Sequence, residues 1–291
     1  MNYLVATTIL WAFSFSLIGV YLAGQVDAWF SALTRIALAM LLFLPLLKLR
    51  SIPNPLALKL MSIGGVQLGL MYCFYYQSFL YLSVPEVLLF TVLTPIYVTL
   101  FYDISQRRFS FGFLVSAIVA VFGAMMIKYQ GINEGFLLGF LVVQGANISF
   151  ALGQVAYKRV MEFDENNQLP QSSIFGLFYI GAFIVALILF MLFGNADKLP
   201  TTNTQWGILI YLGLIASGLG YFAWNKGATL VSSGTLAVMN NALVPAGLVV
   251  NILIWNRDEN LTRLAIGGAI ILFSLWLNSW FNKNNKIYPK G

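Results

Sequence analysis

Long apolar runs separated by short polar or turn-forming breaks fill this chain from end to end. A helix needs about 20 mainly apolar residues to cross the hydrocarbon layer. Ten runs approach or exceed that length: 3–22, 29–47, 58–81, 85–102, 111–128, 136–157, 173–193, 206–225, 233–255 and 264–281. The narrowest break is Ser83-Val84-Pro85. Without it the apolar stretch would be too long for one crossing, so two helices are predicted there. The first run ends in Leu22-Ala23-Gly24, which looks cleavable, but it lacks a basic flank and another apolar run follows at once. It therefore reads as a retained helix rather than a secretion signal.

Composition points the same way, with 59% hydrophobic and 9% charged residues and a mean hydropathy of +0.82. The predicted class is an all-α integral membrane protein of ten transmembrane helices, with no room for a soluble catalytic domain. The absence of His and the single Cys73 exclude imidazole bases, His or Cys metal clusters and an intrachain disulfide, and no cofactor is implied. The net charge of +6 is explained by sidedness, with no nucleic-acid partner. Loops after even-numbered spans plus the C-terminus hold Lys48, Arg50, Lys59, Arg107, Arg108, Lys158, Arg159, Lys226, Lys283, Lys286 and Lys290, against Lys128, Lys198, Arg257 and Arg263 on the other side. By the positive-inside rule both termini are cytoplasmic.

The chain also divides into similar halves, 1–130 and 131–291. An offset of 150 superposes Leu80 on Leu230, Ser83 on Ser233, Leu93 on Leu243 and Pro95 on Pro245. Five spans per half is an odd number, so the second copy would insert upside down. Inverted repeats of this kind carry transporter sites near the midplane, and matched helix interruptions mark them. Pro95 and Pro245 are the matched interruptions, each removing a backbone donor and kinking its helix.

Few polar residues interrupt the apolar spans. On the sixth, Gln144, Asn147, Gln154 and Lys158 share one helical face. That face either lines a hydrated cavity or hydrogen-bonds neighbouring helices, with Lys158 snorkelling to cytoplasmic water. Asn240 and Asn241 lie one turn before Pro245, where an amide either caps freed carbonyls or meets a ligand. Tyr72, Tyr75, Tyr76 and Phe79 form an aromatic stripe on the third span, and Trp11 and Phe15 flank Ser14 on the first. Such stripes pack, meet lipid or line a site. Arg35 is the basic residue set deep inside a span, and Glu86, near the same membrane face, is its expected partner as gate, substrate anchor or brace. Gly65 with Gly69, Gly135 with Gly139, and Ala216 with Gly220 are spaced for close helix contact.

Ten spans in two halves, the segment Leu10-Trp11-Ala12-Phe13-Ser14-Phe15, Arg35 in the second span, and the paired segments from Ser83 to Pro95 and from Ser233 to Pro245 together resemble the EamA-type drug/metabolite transporter superfamily. Members usually show Trp-Gly in the first helix, and here Ala12 follows Trp11. The resemblance implies a bacterial inner-membrane carrier of amino acids, other small metabolites or toxic compounds, often working outward through a central cavity. It also implies Trp11, Ser14, Phe15, Tyr72, Tyr76, Phe90, Gln144, Asn147, Trp224 and Asn241 as substrate-binding residues.

The expected function is thus secondary transport of a small metabolite such as an amino acid, by export and alternating access, in a monomer within the bilayer. Import or exchange of a vitamin, amine or nucleoside is the alternative. A membrane enzyme would need paired carboxylates, a Ser with a base, or a metal cluster, and none is visible. A channel or scaffold stands as the further alternative.

Overall fold

The computed structural model describes residues 1–105, 134–163, 169–231, 233–255 and 261–284, with 107, 115–116, 118–119, 122–123 and 126. The fifth expected span, 111–128, falls mainly outside the described residues. Among those described there is no strand, and nine long helices follow one another: α1 (Asn2–Tyr21), α2 (Ala28–Leu46), α3 (Asn54–Ser78), α4 (Val84–Ser105), α5 (Glu134–Phe163), α6 (Gln171–Phe193), α7 (Asn203–Thr229), α8 (Ser233–Ile254) and α9 (Leu261–Asn284). Helices satisfy most of their backbone groups internally, as the hydrocarbon layer demands. Seven of them, α1 to α7, are long and apolar enough to cross a membrane. Large apolar side chains such as Leu58, Met191 and Leu253 stand on the outside of the bundle, where lipid rather than water would meet them.

Helix starts are set by local polar chemistry. The Asp27 carboxylate accepts the Phe30 N–H at 2.7 Å at the head of α2. At α4 the Ser83 N–H and hydroxyl both donate to the Glu86 carboxylate, at 2.8 and 2.9 Å, and Thr202 with Gln205 forms the same reciprocal box at α7. Each arrangement satisfies N–H groups that the first turn leaves without an intrahelical acceptor.

Among the described residues, three helices depart from regular α geometry in their interiors, beyond the short 3₁₀ turn that ends α2 at Leu44–Leu46. In α3 and α7 the backbone widens into π turns at Gly65–Leu70 and Tyr211–Leu219. In α4, helix Val84–Thr91 stops and a fresh segment, Thr94–Ser105, begins. Pro95 sits at the start of that segment, where a missing N–H removes no helical bond. The expected kink is therefore a break. Pro245 behaves differently, since α8 stays helical through it; Pro95 is buried and Pro245 exposed.

Helices from the two halves of the chain interleave: α2 packs on α6 and α7, α1 on α8 and α7, and α3 on α6 and α5. Glycine makes the α3–α6 crossing close. A Cβ on Gly64 would lie 1.8 Å from the Phe178 carbonyl oxygen, and one on Gly181 would lie 1.9 Å from that of Met61. Gly65 and Gly69 face α6 as well, Gly139 meets Tyr81 and Leu82, and Gly220 meets the Trp11 indole.

Candidate functional site

A cavity lies among α1, α2, α3, α4, α5, α7 and α8. Seven of its sixteen lining residues are aromatic. Trp11 lies 5.0 Å, ring to ring, from both Tyr221 and Trp224, and Phe150 closes on all three. Each indole N–H has a partner: Trp11 donates to the Ala216 carbonyl at 2.8 Å and Trp224 to the Gln154 amide oxygen at 2.7 Å.

The π turn of α7 supports one side of this wall. A widened turn moves backbone bonds off the i−4 ladder and leaves carbonyls to be satisfied otherwise. Side chains from three other helices supply donors: Trp11 to Ala216, Arg35 Nε to Leu212 at 3.2 Å, and Tyr179 to Ser217 and Gly218 at 2.7 and 2.8 Å. Ser217 donates its hydroxyl to Leu212. With its single proton used, its oxygen accepts from Arg35 Nε at 2.7 Å and from the Tyr72 hydroxyl at 2.8 Å.

Arg35 borders the cavity and is 2% exposed. Its guanidinium carbon lies 4.2 Å from the centre of the Tyr72 ring, and Nη1 donates to the Tyr76 hydroxyl at 3.4 Å. All these partners are neutral. The expected ion pair with Glu86 does not form in this conformation, because the carboxylate turns back to cap α4 through Ser83.

On the α5 wall, Asn147 Nδ2 donates to the Phe90 carbonyl at 2.8 Å, just before the break in α4, and to Gln144 at 3.1 Å. On α8, Asn240 Nδ2 donates to the Leu236 carbonyl at 2.9 Å. Thr91, Thr94 and Ser14 add hydroxyls to the lining.

Of the residues expected at the site, Trp11, Ser14, Phe15, Tyr72, Asn147 and Trp224 border the cavity, as does Arg35. Three others sit behind the wall. Tyr76 backs Arg35. Phe90 is fully buried against Phe136 and Phe140 and offers its carbonyl rather than its ring. Gln144 is held between Tyr97 and Asn147. The side chain of Asn241 lies outside the described residues; its neighbour Asn240 reaches the lining. Lys158 does not snorkel to water: it is 7% exposed, donates to the Ala228 and Val231 carbonyls and pairs with Glu162 at 3.0 Å. The lining residues that sequence reasoning left out, Phe150 and Tyr221 among them, lie three positions from Asn147 and Trp224 on the same helical faces, and that spacing is the signal that would have found them.

Nothing in this set suggests acid, base or metal chemistry; among the described residues no three His, Cys, Asp or Glu gather as a metal site. The EamA-like transporter family matches the chain twice, over residues 1–129 and 137–280. The chain belongs to the EamA-like transporter family. It is accordingly a multi-pass membrane transporter of a small molecule rather than an enzyme. A "Probable biotin transporter" of Pseudomonas aeruginosa is 54% identical over 278 residues, covering 96% of this chain and 97% of its own length. A "Biotin transporter" of Escherichia coli is 51% identical over 279 residues, 96% of this chain and 92% of its own. A solved crystal structure superposes with a TM-score of 0.66 across 98% of both chains at 16% identity, a likeness of fold alone.

Proposed function

We propose that this EamA-family protein carries biotin, or a vitamin of the same chemistry, across the inner membrane of a bacterium. The observation that carries the reading is near full-length identity above one half to proteins named for biotin. The cavity supports it: an apolar, aromatic wall with a few polar groups suits a small molecule with a polar group at each end and an apolar stretch between them. This vitamin reading displaces the amino-acid export expected from the family resemblance.

The architecture proposed with it is ten transmembrane helices in two inverted repeats, 1–130 and 131–291, with both termini cytoplasmic. The two family matches, one in each half, support the repeat, as do the π turns at comparable depths of α3 and α7. The chain acts by alternating access, the halves moving around the cavity. At one end α5 is tied to α7 through Lys158, and Gln171 at the head of α6 is tied to Thr229. Both bonds join helices at the same end of α7.

Proteoliposomes holding the purified protein test the function. Saturable biotin flux, competed by unlabelled biotin and unaffected by excess amino acids, is the expected outcome. Saturable amino-acid flux without biotin flux would restore the export reading.

A further inference from the structure

A buried cation in a membrane protein needs a counter-charge or a full set of hydrogen-bond acceptors. Arg35 has neither. It carries five N–H donors in a planar fork, and the protein accepts from Nε and once from Nη1. Among the described residues no carboxylate pairs with it, and none supplies an acceptor to the rest of the fork. The Tyr72 ring and the contacts to Leu212, Ser217 and Tyr76 fix the orientation of the guanidinium. They do not neutralise it, and the side chain forms part of the cavity wall.

The two asparagines of the lining are complementary to this. Asn147 and Asn240 each direct the amide N–H₂ into the protein. Their carbonyl oxygens are not used by any described residue, so the polar function each offers to the cavity is an acceptor. The wall thus presents a fixed cation on α2, acceptors on α5 and α8, and aromatic rings.

We propose that Arg35 seats the carboxylate of the cargo through the free edge of its guanidinium, and that Asn147 and Asn240 accept N–H groups at the cargo's other polar end. The cargo class is then a small monocarboxylate with an amide- or urea-type head and an apolar middle. This rests on the biotin reading above, since biotin has a carboxylate on an aliphatic chain and a cyclic urea with two N–H groups. Binding supplies the negative charge that Arg35 lacks, so the loaded site is electrically closed.

The test compares ligands on the unmodified protein. Displacement of labelled biotin is measured with biotin and with biotinamide, which keeps the ring and chain and loses only the charge. Loss of a charge-assisted pair predicts roughly ten- to hundredfold weaker displacement by biotinamide. In Arg35→Gln the two ligands become equal, while Asn240→Ala weakens both alike. Equal displacement by biotin and biotinamide on the unmodified protein overturns the Arg35 assignment and leaves biotin transport standing. If labelled biotin does not bind, saturable flux of pantothenate with none of its neutral alcohol would sink the biotin reading and keep the Arg35 assignment. Flux of neither carboxylate sinks both. Because the central comparison uses unmodified protein, it decides the matter even where a variant fails to fold.

Discussion

Arg35 and Lys158 are both cations sealed inside helices, at 2% and 7% exposure, yet their surroundings are opposite in kind. Lys158 reaches the carbonyls of Ala228 and Val231, at and just beyond the C-terminal end of α7, and has the Glu162 carboxylate 3.0 Å away. The end of a helix carries partial negative charge, so this cation is balanced twice over. Arg35 meets a carbonyl, two hydroxyls and a ring face, all neutral. Burial alone does not separate a brace from a binding group. The charge of the partners does: a cation whose balance is complete holds two helices together, and one whose balance is open is kept for something that arrives from outside.

Breaking the contrast starts with the largest effect. Arg35→Gln is expected to lower biotin flux by roughly a hundredfold or more, the loss of a buried charged contact. Arg35→Lys should not restore it, because an ammonium lacks the planar fork held by Ser217 and Leu212; full activity in the lysine variant would show that a point charge suffices. Lys158→Met is expected to lower the unfolding free energy by about 1–3 kcal/mol, read as a reduced melting temperature in detergent, with the KM for biotin unchanged. A large rise in that KM would erase the distinction between the two cations. Ser217→Ala removes one acceptor from Arg35 and one from Tyr72 and should weaken biotin binding roughly three- to tenfold, about one hydrogen bond. Glu162→Gln comes last: the carboxylate is 37% exposed, so the expected loss is below about 1 kcal/mol and fades at high salt.

The helices were legible because lipid imposes length and polarity on each span separately. Arg35 was legible too, as a charge where none is cheap. Its partners were not. Ser217 lies 182 residues away and becomes an acceptor for Arg35 only beside a π turn, which no spacing rule announces. Glu86 is the opposite case. The order Ser83-Val84-Pro85-Glu86 is a helix-start pattern, and read that way it already occupies the carboxylate with Ser83. Tyr76 and Gln144 were misplaced by a coarser limit: helical periodicity names a face, whereas the cavity touches a narrow arc of it. Asn147 falls inside that arc, and Gln144, one turn earlier, falls behind it.

The widened turns carry one consequence for how such a chain can change over time. A π turn holds one more residue than an α-turn over the same stretch, and each residue rotates an α-helix by about 100°. Deleting a single residue within Tyr211–Leu219 would let α7 relax to regular geometry and swing Tyr221 and Trp224 around the helix axis, away from Trp11. The aim of those rings is therefore set by a count of residues as much as by their identity. A substitution at this segment trims a contact, whereas a one-residue deletion re-indexes the whole aromatic wall.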